Sequence, residues 1–140
     1  MKISQLRIFL FFCVIIPLGF ALSGCRKAPV NGNLDGMWEV NEVVRLGESF
    51  VPTGRIFYNF SLDVCQLTYY GAGATFAFGI IKYHDDNLMI DFPYIEGENA
   101  VETLKDYGVF SNPVLFKVSF PDKTHLILSD DETYVYLTKF

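Results

Sequence analysis

The residues able to do acid–base, nucleophilic or metal chemistry are few in this chain, and their spacing gathers none of them into a constellation. His84 runs into Asp85, Asp86 and Asn87, while His125 stands far downstream after Lys123 and Thr124. A zinc site draws its ligands from paired spacings such as His-x-x-x-His or Cys-x-x-Cys, and neither pairing occurs here. His84 with its two aspartates therefore reads as a solvated hairpin tip with at most weak cation affinity. Ser49, Ser61 and Ser119 lack a neighbouring base and lack the Gly-x-Ser-x-Gly turn that exposes a nucleophile. Asp91 alternates with Leu88, Ile90 and Phe92, which turns its carboxylate away from that apolar face. Gly71-Ala72-Gly73-Ala74 bridges two strand-like runs, whereas a phosphate-cradling loop opens a helix. No catalytic residue, cofactor or metal is implied, and the chain reads as a non-enzyme.

The three cysteines are more informative. Cys65 sits in the alternating run Val64–Tyr69, where a small buried hydrophobe is the expectation. The alternative is a reactive thiol, but no His, Lys or Arg lies close in sequence to lower its pKa. Cys25 ends Leu22-Ser23-Gly24-Cys25, behind the apolar run Ile8–Leu22 and the basic Lys2 and Arg7. Basic flank, greasy stretch and small residues before a cut are the order of an export signal. At about 1.5 Å per residue the run spans roughly 22 Å, short of the roughly 30 Å hydrocarbon core of a bilayer. The tetrapeptide resembles a bacterial lipoprotein lipobox. That resemblance implies that Cys25 is acylated on sulfur, becomes the N-terminus and anchors the rest of the chain to a membrane. Cys13 leaves with the signal, so one thiol remains and no disulfide can staple the domain.

The chain thus divides into a signal peptide (1–24), a lipidated tether (25–33) rich in Pro, Gly and Asn, and one folded domain (34–140). From Cys25 onward nine Lys and Arg face sixteen Asp and Glu, a net charge of −7. That sign disfavours nucleic acid and polybasic contact with anionic lipid.

What positions the side chains is a succession of short strands. Aromatic and β-branched residues recur over Met37–Arg45, Arg55–Leu62, Val64–Tyr70, Thr75–Tyr83, Leu88–Phe92, Val114–Phe120, Thr124–Ser129 and Thr133–Phe140, separated by turn clusters. Period two puts Trp38, Val40 and Val44 on one face of the first run, and sets Ile56, Tyr58 and Phe60 against Phe57, Asn59 and Ser61 in the second. Gly47-Glu48-Ser49 and Pro52-Thr53-Gly54 read as breaks, and Pro93 ends the fifth run. Short turns make neighbours antiparallel, so the chain is an all-β meander. Eight such strands suffice to close a small up-and-down barrel. One segment departs from period two: Asn99–Gly108 spaces Val101, Leu104 and Tyr107 three apart, with Asn99 as N-cap and Gly108 as stop. It predicts a short helix between the fifth and sixth runs, laid over an open end of the sheet.

Gly36-Met37-Trp38 at the head of the first strand matches the Gly-x-Trp of lipocalins. Together with the lipobox, the tether, Asp106-Tyr107-Gly108 before Phe116-Lys117-Val118, and the terminal Leu137-Thr138-Lys139-Phe140, the layout resembles the small lipocalin-like lipoproteins of the Bacteroides type. It implies a lipocalin-like, eight-stranded antiparallel barrel whose base is closed by Lys139 over Trp38, a structural role. The helix falls between strands five and six, unlike the usual lipocalin position after the eighth strand.

Fourteen Phe, eight Tyr and one Trp exceed what a small barrel interior holds. Ordinary core and surface packing accounts for most of them. The sharper expectation is that Tyr58, Tyr69, Phe78 and Phe92 line an interior pocket for a small apolar or amphipathic ligand. Outward aromatics offer a second reading, a docking patch for an envelope protein partner as its inhibitor or accessory. Anchoring through Cys25 places the domain in the cell envelope, with the periplasmic leaflet of the outer membrane expected by resemblance.

Overall fold

The computed structural model describes residues 29–70, 75–97, 102 and 104–140. The strands are β1 (Gly36–Arg45), β2 (Glu48–Phe50), β3 (Ile56–Ser61), β4 (Val64–Tyr69), β5 (Thr75–His84), β6 (Asn87–Ile95), β7 (Val114–Ser119), β8 (His125–Ser129) and β9 (Thr133–Lys139). Every neighbouring pair is antiparallel, in the order β2-β1-β3-β4-β5-β6-β7-β8-β9. β9 then returns to β1, in register from Trp38↔Lys139 to Arg45↔Thr133. Eight strands thus close a barrel, as the alternation predicts. The additional β2 pairs with Val43–Arg45 of β1, on the edge whose other half, Gly36–Glu39, is taken by β3. The stretch read as a break is therefore a tight hairpin, reversed at Leu46 and Gly47 with φ of 51° and 83°.

Period-two burial builds the interior. Ile56, Tyr58 and Phe60 of β3, Cys65 and Leu67 of β4, Leu88, Ile90 and Phe92 of β6, Val114, Phe116 and Val118 of β7, and Leu126 and Leu128 of β8 are all buried in one cluster. On β1 the expected face is broken. A bulge between Val40 and Glu42 shifts the pairing with β9, so that Val43 rather than Val44 follows Trp38 and Val40 into the core. Phe57 departs in another way: it is buried on the outer face, outside that cluster. Its ring meets Phe140 edge-on at 5.3 Å and Tyr70 at 6.5 Å. Arg55 lies within 5.1 Å to 5.4 Å of all three ring centroids, and its Nε donates to Glu39 at 2.6 Å.

Pro93 does not end β6, which runs on to Ile95. β7 pairs with β6 only as far as Ile90, so beyond that point β6 is an edge, where a residue without an N–H is tolerated. Asn112 completes the pairing there. Its side-chain oxygen accepts from Phe92 N–H at 2.9 Å and its amide donates to Phe92 C=O at 2.9 Å.

The two ends of the barrel differ. At the base lie the tight turns at Leu62-Asp63 and Asp85-Asp86, the start of β1, the C-terminal Phe140 and the buried Trp38. Trp38 Nε1 donates to Leu34 C=O at 2.8 Å, Lys139 Nζ lies 4.9 Å from its ring centroid, and Phe120 packs at 6.0 Å. The chain is held from Asn31, earlier than the expected Leu34: the Asn31 amide donates to Leu62 C=O and Asp35 Oδ1, each at 2.6 Å. At the opposite end the long β6–β7 connection crosses the opening. Of the predicted helix, Asn99, Ala100, Val101 and Thr103 lie outside the described residues. Glu102 and Leu104 are helical and lead into a 3-10 turn, Lys105–Tyr107, that stops at Gly108 with φ 77°. A Cβ at Gly108 would also collide with Val135, so both backbone conformation and space demand glycine.

Candidate functional site

Leu104, Tyr107 and Val109 drop from this connection into the barrel opening and are buried there. Tyr107 is the central piece. Its hydroxyl donates to Thr68 C=O at 2.9 Å, and its own carbonyl accepts from the Tyr58 hydroxyl at 2.8 Å. The Tyr107 ring stands edge-on to Tyr58 and parallel to Phe76, 6.0 Å from each. Burial, reinforced by Cys65 and Tyr107, pushes the Tyr58 hydroxyl far above its ordinary value. The Tyr107 hydroxyl is raised too, by burial first and then by Asp106 and Tyr69. Both phenols stay protonated, and both protons are held by backbone carbonyls.

The opening left beside this plug is a cleft of about 270 Å³ lined by Pro52, Thr53, Gly54, Ile56, Tyr69, Phe76, Asp106 and Tyr107. Four separate stretches supply it: the β2–β3 loop, the end of β4, the start of β5 and the 3-10 turn. Phe76 reaches it because the β4–β5 pairing slips between Leu67 and Thr68. Tyr69 lies flat against Gly54, whose missing side chain makes the room, since a Cβ there would overlap the phenol ring. Pockets that take organic ligands measure about 300–1,000 Å³, so this one suits a small molecule or the end of a longer one.

The four expected pocket residues are therefore not brought together. Tyr58 and Phe92 are core, buried against other side chains, and Tyr58 has no hydroxyl to offer. Phe78 lies on the outer face, across from Gln66 and Tyr94 in the ladder, because inward Ala77 and Gly79 flank it. Only Tyr69 lines the cleft, at its rim and half exposed. Ile56, Phe76 and Tyr107 are open to the same reasoning as aromatic or apolar residues, but nothing local in the sequence marks them as neighbours.

Elsewhere the candidate groups are occupied locally. Cys65 is buried and burial pushes its thiol well up, so it is unreactive as folded. His84 meets Asp85 at 3.1 Å, both highly exposed. Asp122 accepts from His125 and from Thr124, which hold its carboxyl well below the usual range. A second, more open depression of about 280 Å³ lies between Arg45, Phe110 and the β8–β9 turn. There Asp130 accepts from Glu132 and Thr133 N–H, and Arg45 covers the Phe110 ring at 3.7 Å, which makes it a structured turn. Among the described residues, no group of three or more His, Cys, Asp and Glu could hold a metal ion, and no helix is long and apolar enough to cross a membrane.

A closed antiparallel eight-stranded barrel with a plugged opening is an architecture that commonly binds small hydrophobic ligands. The chain belongs to the lipocalin-like domain family, whose model matches residues 20–140. Two solved structures share the fold. A lipocalin-like protein from Bacteroides uniformis is 22% identical, with 78% of this chain and all of that one covered and a TM-score of 0.63. An uncharacterized protein from Bacteroides eggerthii is 17% identical, with 76% of this chain and 98% of that one covered and a TM-score of 0.57. No curated protein matches the chain. The fold is one typically used for binding rather than for catalysis.

Proposed function

We propose that this protein is a lipid-anchored, non-catalytic binding domain of the cell envelope that holds a small hydrophobic or amphipathic ligand at the mouth of its barrel. The observation that carries this reading is the cleft itself: an apolar floor of Ile56, Phe76 and Tyr107, one small void, and a few polar groups at the rim. The ligand sits at the opening, because Tyr58, Phe60, Phe92 and Phe116 occupy the interior. The anchor is supported by the lipobox at Cys25 and by the basic and apolar stretch before it. Exposed apolar side chains give the partner reading less support: Tyr70 and Phe140 gather round Phe57, but Ile80 lies on β5, Tyr94 on β6, and Tyr134 and Tyr136 apart on β9.

The uncharged dye Nile red tests the cleft. Saturable one-to-one binding is expected, lost in Gly54→Val, which drives Tyr69 into the void. Absence of saturable binding, or binding indifferent to Gly54→Val in a folded variant, refutes the site. In cells, Cys25→Ser is expected to move the protein from the membrane to the soluble fraction, and retention at the membrane refutes the anchor.

A further inference from the structure

Cations near the barrel mouth are already committed. Arg45 meets Glu132 at 3.2 Å, Lys105 meets Glu102 at 2.6 Å, and Arg55 turns away from the cleft to Glu39 and the outer aromatic cluster. Among the described residues, Asp106 is the single charged one in the lining of the cleft. It is exposed, and among the described residues no ion pair reaches it. Three rings share the lining with it: Tyr69, Phe76 and Tyr107. Asp106 directly precedes Tyr107 on the 3-10 turn, and both line the cleft with Tyr69.

Aromatic faces carry negative potential, and a carboxylate beside them adds to it, so the cleft is built to receive positive charge. A fatty acid or a phosphate head would face Asp106, with no cationic side chain among the described lining residues to answer it. The charge of −7 over residues 25–140 acts in the same direction at long range, drawing cations in and holding anions off.

We propose that the cleft between Asp106 and the rings of Tyr69, Phe76 and Tyr107 receives the ammonium end of an organic cation with an apolar tail. This rests on the reading of the cleft as the binding site and adds the head-group chemistry. Dodecyltrimethylammonium, dodecanol and dodecanoate share one tail and differ only in head group and charge. Each is titrated below its micelle concentration into the purified protein and followed by calorimetry. The ammonium is expected to bind about tenfold more tightly than the alcohol, as an ion pair and cation–π contact in a half-open site would give, and dodecanoate least tightly of the three. Asp106→Asn removes the advantage of the ammonium, whereas Asp63→Asn, an equal change of charge at the opposite end of the barrel, leaves it. Dodecanoate binding as tightly as the ammonium, or a preference that survives Asp106→Asn, overturns the proposal. If dodecanol binds and the ammonium gains nothing, the head-group inference alone is refuted. If none of the three binds, the cleft reading is refuted with it.

Discussion

Tyr58 ties β3 to the far β6–β7 connection through one polar group, its hydroxyl donating to the Tyr107 carbonyl at 2.8 Å. Alternation along β3 turns it inward, and nothing in the sequence says that its hydroxyl meets the carbonyl of a residue on the far connection. Tyr58→Phe keeps the ring against Phe60 and Tyr107 but leaves the buried Tyr107 carbonyl without that donor. The expected loss is about 1–3 kcal/mol in urea unfolding, the cost of an unsatisfied buried acceptor. Nile red affinity is expected to stay unchanged, because the hydroxyl does not reach the cleft. A matching loss of dye binding would mean that the plug and the site move as one. The same contrast holds for other single residues. Inward positions such as Ile90 and Phe116 are legible from period two, but Phe57 is buried by Tyr70 and Phe140, and contacts that distant leave no local trace.

Elements are legible where burial on one face decides them and obscure where a partner does. β7 alternates buried and exposed throughout, as written in Val114-Leu115-Phe116-Lys117-Val118-Ser119. β6 is the opposite case: Pro93 signals an end, yet the strand persists because β5 holds one edge and Asn112 supplies a single-residue partner on the other. Asn112→Ala removes both hydrogen bonds to Phe92. Amide exchange at Phe92 is expected to accelerate about tenfold, corresponding to roughly 1.4 kcal/mol of local stability, with β3 and β4 protected as before. Unchanged protection at Phe92 would show that β5 alone sustains the strand's end. The bulge beyond Val40 belongs to the same kind of feature: a slip in pairing is a property of two strands, and one strand's sequence does not display it.

At the scale of the whole molecule, a closed barrel is readable because eight alternating runs and short turns leave few other arrangements. The cleft is not, since Thr53, Tyr69, Phe76 and Asp106 meet only where the β2–β3 loop, the slipped β4–β5 pairing and the β6–β7 connection converge at one end. The Asn31 clamp at the base has a consequence for how the protein meets its surroundings. Between Cys25 and Asn31 six peptide steps reach at most about 20 Å, so an acyl group on Cys25 would hold the Leu62 turn close to the bilayer. The cleft would then stand at the far side. In vesicles loaded with the acylated protein, a fluorophore at Leu62 is expected to be quenched by doxyl lipids and one at Thr53 spared; the reverse order would refute this orientation. A vessel fixed by its foot fills from above. Under the proposed anchor and cleft, a ligand would enter from the aqueous side, away from the lipid beneath the barrel.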